Sequence, residues 1–305
     1  MTGLLRSTFL GSTAEVCAAF RTLGAVDPLA HRFLRGARVT SLARIRPLRP
    51  LLRAAAPRLV KGAFAYEVSR TGHLDEAVAG ELRQGATQLV LLGAGFDSRG
   101  HRFDVQTFEV DLPSLSRRKR RLAEGLAGRV VYVEADFEHD DPLARLTAAG
   151  FDPGAPTVVL WIGVSMYVSA QAVERVLGFG AALAPGSTVI FDYVFAEPSR
   201  DFSRAVERRG EPIRFRTNDV QTLVERHGLE LERDVGPREL ARRLCRAERD
   251  PYPFIAIAQA RVRRTGCLAS KKAPNPAGRT RPPRNLDGGG ESRRADSNRG
   301  PLHYE

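Results

Sequence analysis

The stretch Leu89 to Arg99, LVLLGAGFDSR, constrains this chain more than any other. An apolar run stops at Gly93-Ala94-Gly95, and a second strand-like run, FEVD at 108–111, ends in carboxylates. Gly93 and Asp111 lie 18 residues apart, close to one βαβ half-unit with an acid at the tip of its second strand. Glycines let the backbone approach a ligand, and a carboxylate at that tip accepts hydrogen bonds from ribose hydroxyls. The expectation is an adenosine-containing small molecule held at the carboxyl ends of parallel strands.

A dinucleotide fingerprint needs a third glycine at position 98, where this chain has Ser98. Asp97 sits where a pyrophosphate would approach the turn, and its charge repels one. A nicotinamide-dependent oxidoreductase is therefore disfavoured. A cationic sulfonium with a zwitterionic amino-acid tail suits an acidic turn better, which points to S-adenosyl-L-methionine (AdoMet). Glycines after a strand also serve turns that bind nothing; the FEVD strand argues against that reading.

The first 85 residues read as helical, with Val16, Phe20 and Leu23 at helical spacing and a break at Asp27-Pro28. Prolines 47, 50 and 57 are expected to interrupt the next stretch, before a helix from Phe64 to Leu82. From Thr87 onward strands are expected at 88–92, 105–110, 129–134, 157–162, 187–194, 229–235 and 254–261. Helical patterns fall between most of them, at 113–127, 170–183, 217–226 and 237–247. Such alternation gives an α/β fold with a parallel sheet covered on both faces. Three units are expected: a helical N-terminal cap or lid (1–85), an AdoMet-binding core (86–264) and a tail (265–305). The tail is rich in Pro, Gly, Arg and Asn with few apolar residues, so it cannot offset its ordering entropy and is expected to be disordered.

Four segments, GATQLVLLGAGFDSRGHRF, FEVDLPSLSRRK, VYVEADFEHDDPLARLTAAGFDP and PTVVLWIGVSMYV, together resemble the leucine carboxyl methyltransferase family. That family comprises class I AdoMet-dependent methyltransferases and includes bacterial proteins assigned as O-methyltransferases. The resemblance covers roughly residues 12 to 260, with the motifs in order. It implies a Rossmann-like, seven-stranded, mostly parallel sheet with the last strand inserted antiparallel. It also implies that Arg70 holds the AdoMet carboxylate, for which a bidentate guanidinium is well shaped.

Gly93 and Gly95 are the candidates for the methionine portion, and Asp97 for its amino group, directly or through water. Asp111 is the candidate ribose ligand. Glu109, on the same side of the strand, is the alternative. Asp136-Phe137 matches the family's pair near adenine. The EADFEHDD run at 134–141 also admits a Mg²⁺ or Mn²⁺ reading, but Asp140-Asp141-Pro142 is good helix-start chemistry, and no metal is expected. His73, His101 and Tyr167 are the polar groups weighed as a base, with Tyr167, in the fourth-strand motif, ranked first for lining the acceptor pocket. One departure stands out. The family pattern W-E-G-V-S-M-Y-L has Ile162 in place of its Glu here, which removes a charged contact to a cationic ligand.

The formal net charge of +12 invites a nucleic-acid reading. The tail holds a net +4 of it, and the RRKRR run at 117–121 is the one dense cluster in the remainder, expected to be a solvated helix face. Nucleic acid is thus not an expected partner. Cys17, Cys245 and Cys267 form no C-x-x-C pair and suggest a reducing compartment. No apolar run approaches the ~20 residues of a membrane span, no signal peptide is recognisable, and a cytoplasmic location is the default. The leading expectation is an AdoMet-dependent O-methyltransferase acting on a small molecule or a carboxylate. The alternatives are an AdoMet-fold binding protein impaired by Ile162 and, behind it, an RNA methyltransferase.

Overall fold

The computed structural model describes residues 12–35, 38–59, 62–208, 210–242 and 251–263. The tail assigned to 265–305 lies outside the described residues, as does the end of the helix expected over 237–247.

Seven strands form one sheet: β1 (Gln88–Leu92), β2 (Gln106–Asp111), β3 (Arg129–Glu134), β4 (Thr157–Trp161), β5 (Thr188–Val194), β6 (Leu229–Val235) and β7 (Ile255–Val262). Their order is β3-β2-β1-β4-β5-β7-β6, and β7 runs antiparallel to both of its neighbours. Every residue of β1, β4 and β5 is buried. Strands covered on both faces need apolar side chains on both, which is why QLVLL and TVVLW read as continuous runs. The two-residue period sorts them. Val90, Leu92, Val159 and Trp161 join one core layer, and Leu89, Leu91, Val158 and Leu160 join the other.

The described helices are α1 (Thr13–Leu23), α2 (Arg38–Ser41), α3 (Arg49–Leu59), α4 (Ala63–Arg83), α5 (Pro113–Leu122), α6 (Pro142–Ala148), α7 (Ala170–Ala181), α8 (Arg200–Glu207), α9 (Val220–Glu225) and α10 (Pro237–Ala241). Ser12 opens α1 with a capping box: its hydroxyl accepts from the Glu15 N–H, and the Glu15 carboxylate accepts from the Ser12 N–H at 3.1 Å. Asp141 caps α6 by accepting from the Leu143 N–H at 2.9 Å, with Pro142 in the first turn, in line with the helix-start chemistry of that sequence. The N-terminal helices build a third core around Phe20, Phe33, Phe64 and Phe96.

Two expectations are corrected. Pro50 and Pro57 do not break the chain; α3 runs through both. Pro50 falls in its first turn, where no intrahelical partner is needed for the missing N–H. The RRKRR run is not a uniformly solvated face either. Arg120 and Arg121 are exposed, but Arg117 pairs with Glu134 at 3.2 Å and Arg118 with Glu15 at 2.6 Å. Lys119 is buried, with its ammonium 2.7 Å from the Glu109 carboxylate. This cluster joins the cap to the edge of the sheet and offers no continuous basic stripe.

Burial pushes the Glu109 carboxyl up to about 7, against the opposing pull of Lys119. Folded Glu109 therefore keeps its proton to higher pH than the unfolded chain does, and its contribution to stability falls as pH rises from its ordinary 4.5 through about 7. Lys119→Met removes the one counter-charge in contact among the described residues and extends the fall to higher pH. Urea unfolding should find it destabilised by about 3 kcal/mol at about pH 8 and by much less at about pH 5; equal losses at both would assign Lys119 a packing role only.

Candidate functional site

β1 lies between β2 and β4, so the chain leaves it for opposite halves of the sheet, and a crevice opens at the carboxyl ends of these strands. A cavity of about 390 Å³ occupies that crevice. Arg70, Gly93, Gly95, Asp97, Asp111, Asp136, Phe137 and Tyr167 all line it, so residues spread over 98 positions of sequence are brought to one place.

The glycine turn is built by β2. The carbonyl of Val110 accepts from the N–H groups of Gly93 and Ala94, at 2.8 and 3.1 Å. The Asp111 carboxylate accepts from the Gly95 N–H at 2.6 Å and from the Leu112 N–H at 2.8 Å. Gly93 and Gly95 have φ of 65° and 45°, which favours glycine, and a Cβ on Gly93 would lie 2.3 Å from Val164 Cγ2. Each Asp111 oxygen spends one acceptor site on the turn and keeps another. Burial raises its pKa, with the two N–H groups acting in opposition.

Asp97 is not the free carboxylate its sequence position suggests. It accepts from the Arg99 backbone N–H at 2.8 Å and is ion-paired with the Arg99 guanidinium. Burial opposes its charge, but Arg99, Arg21, Lys119 and Arg102 hold its pKa well below the usual range. Asp136 accepts from the Glu138 N–H at 2.9 Å, and Asp140 accepts from the Asp136 N–H at 2.8 Å. The run at 134–141 thus folds on itself, and among the described residues no His, Cys, Asp and Glu cluster is arranged to hold a metal ion. Glu109, the alternative to Asp111, is absent from the lining and faces Lys119 instead.

Arg70, on α4, donates to Glu67 at 2.5 Å and to Asp192 at 2.9 Å, and its guanidinium lies over the Tyr66 ring. Glu67 in turn accepts from Arg21 of α1 at 2.8 Å. Asp192, fully buried on β5, also accepts from the Tyr66 hydroxyl at 2.9 Å and from the Gly163 N–H at 2.7 Å. Trp161 pairs with Phe191, so Asp192 stands beside Ile162 one step further along. A carboxylate thus remains at the position next to the one where the family pattern has Glu. Sequence reasoning missed Glu67, Asp192 and Glu211, all in the lining. The one available signal was a lone acid inside the apolar strand TVIFDYV.

Among the lining residues six carboxylates (Glu67, Asp97, Asp111, Asp136, Asp192, Glu211) face three guanidinium groups (Arg21, Arg70, Arg99). That excess suits a cation and disfavours a diphosphate. Neither weighed histidine belongs to the site. His73 is buried in α4, and His101 contacts the Ala127 carbonyl and the Tyr132 hydroxyl. Tyr167 does line the cavity; burial raises its pKa well above the ordinary phenol value, and that of Tyr66 likewise. Burial also pushes the Cys17 thiol, in the same lining, up to about 12.

The sheet is Rossmann-like with an acidic crevice at its switch point, and the comparisons identify it as that of a class I AdoMet-dependent methyltransferase. The leucine carboxyl methyltransferase family model matches residues 14–181, and the chain belongs to that family. A Mycolicibacterium smegmatis protein named as an S-adenosyl-L-methionine-dependent methyltransferase is 34% identical over 186 residues, spanning 56% of this chain but only 58% of its own length. A Mycobacterium sp. (strain KMS) protein of the same name is 32% identical over 244 residues, 72% of this chain and 79% of its own. Among solved structures, a DUF574 family protein of Streptomyces avermitilis superposes with a TM-score of 0.52 at 22% identity, over 70% of this chain and 90% of that one. A Thermobifida fusca protein described as a methyltransferase gives 0.52 at 18% identity, over 83% and 95%. At such identities these two show the fold. The enzyme is an AdoMet-dependent methyltransferase, and the residues present fit that cofactor: Asp111 keeps spare acceptors, Gly93 has no room for a Cβ, and the lining is anionic.

Asp192 compensates a buried arginine, a phenol and a backbone amide at once. Asp192→Ala should cost about 3 kcal/mol in urea unfolding, and Asp192→Asn clearly less, because the amide oxygen still accepts. Equal losses would mean that volume, not hydrogen bonding, matters there.

Proposed function

We propose that the enzyme methylates an oxygen of a small-molecule acceptor that arrives already deprotonated, a carboxylate above all. The observation that carries this reading is that no imidazole base stands among the described lining residues. Burial holds the Tyr66 and Tyr167 phenols and the Cys17 thiol of that lining in their protonated forms. Glu67 is also a poor proton acceptor: burial opposes its charge, yet Arg70 and Arg21 hold its pKa below the ordinary value. A carboxylate acceptor needs no base at neutral pH, whereas an alcohol does.

When bound, AdoMet supplies a methyl group made electrophilic by its sulfonium. Asp111 takes the ribose hydroxyls, Asp136 and Phe137 the adenine, and the Gly93–Gly95 turn the methionine chain. Asp97 faces the amino group. Arg70 receives the ligand carboxylate through donors not committed to Glu67 and Asp192. Val16, Met166, Phe202, Val206, Tyr252 and Ile255 give the rest of the lining an apolar character that orients the acceptor and excludes water. The residues of α1 in the lining support a lid role for the N-terminal helices over the strand ends.

Calorimetric titration tests the cofactor half. Asp111→Ala should weaken AdoMet binding about 10- to 100-fold; unchanged affinity refutes the ribose assignment. For the acceptor half, carboxylates and phenols are screened with methyl-labelled AdoMet. With a carboxylate acceptor, kcat/KM should stay flat from about pH 6 to about pH 9, while a tenfold rise per pH unit would reveal a deprotonation the cavity does not assist.

A further inference from the structure

From Pro28 to Tyr66 the chain contains eight arginines and one lysine but not a single Asp or Glu. Within it lie three of the four large apolar side chains that are conspicuously exposed among the described residues: Leu42, Ile45 and Leu51, at 39%, 45% and 71%. The coincidence is structural. The Ile45 N–H donates to the Leu42 carbonyl, the Leu48 N–H to the Ile45 carbonyl, and the Arg49 guanidinium to the Ala43 carbonyl at 2.9 Å. This folds residues 42–51 into a tight double turn that leads into α3. Ala43, Leu52 and Ala56 face inward onto the cap core. Leu42, Ile45 and Leu51 are left outward, and the exposed Arg44 and Arg46 between them form no ion pair among the described residues.

We propose that this outer face of residues 42–58 docks on an anionic lipid surface. Exposed aliphatic side chains set among unneutralised arginines are the composition that inserts at a headgroup boundary while the guanidinium groups meet lipid phosphates. No spanning segment is involved. Other occupants fit less well. A nucleic acid gains nothing from exposed Leu and Ile, and the face has no aromatic side chain for bases to stack on. A second copy docked isologously would bring two copies of an acid-free, arginine-rich segment together. α3 packs on α1, which lines the cavity, so the docked face lies one helix from the site. The inference does not depend on the acceptor chemistry.

The test is co-sedimentation of the full chain with vesicles of phosphatidylcholine alone, or of phosphatidylcholine and phosphatidylglycerol in equal parts. The protein should pellet only with the anionic vesicles and be released by high salt. The triple variant L42S/I45S/L51S and the double variant R44E/R46E should each lose most of that binding. All five positions are exposed, and unchanged circular-dichroism melting will verify the fold. Absence of binding overturns the proposal, as does binding that neither variant reduces, which would place it elsewhere on the chain. Loss in R44E/R46E alone, with duplex RNA displacing the vesicles, would assign the face to nucleic acid. A dimer that dissociates in the triple variant would assign it to a second copy.

Discussion

Glu67 is the group that holds the cap and the sheet to one geometry. It accepts from Arg21 on the first helix and from Arg70 on its own, and Arg70 continues to Asp192 on the fifth strand. Charges removed from water in this way require close partners, since a lone buried ion is far more costly than a paired one. Two arginines and two acids therefore fix the relative positions of α1, α4 and β5. The cavity is what these three elements and the glycine turn enclose.

The core sheet was largely legible because its strands are buried on both faces and so appear as Val, Ile and Leu runs bounded by glycine. The strands β1, β3 and β6 coincide with the expected segments, and the others differ by a residue at their ends. α8 was not legible: SRDFSRAVE carries few apolar residues, and its Phe202 and Val206 find their partners only in the folded molecule, around Tyr252 and Phe254. α3 was hidden by its prolines. They limit helix formation from within, but here one sits in the first turn and the helix packs on the cap core.

The site divides along the same line. Gly93, Gly95 and Asp111 can be read from local chemistry, a turn and a strand tip, and their mutual hydrogen bonds span few residues. Asp192 cannot, because the arginine that neutralises it lies 122 positions away in sequence. The RRKRR run misled for a related reason. A lysine in a polar run gives no sign that it will be buried, and only the packing of α5 on β2 turns Lys119 toward Glu109.

The loop after β4 takes its shape from Asp192. Gly163, at a φ of 73°, is anchored by the same carboxylate that neutralises Arg70, and the Ser165 hydroxyl is bonded to the Asp192 carbonyl. A ligand carboxylate on the remaining donors of Arg70 would thus share its charge with the residue that holds this loop in place. Loop order and ligand charge would then be linked through Asp192, and the wall formed by Val164, Met166 and Tyr167 would respond to the charge of an occupant as well as to its shape.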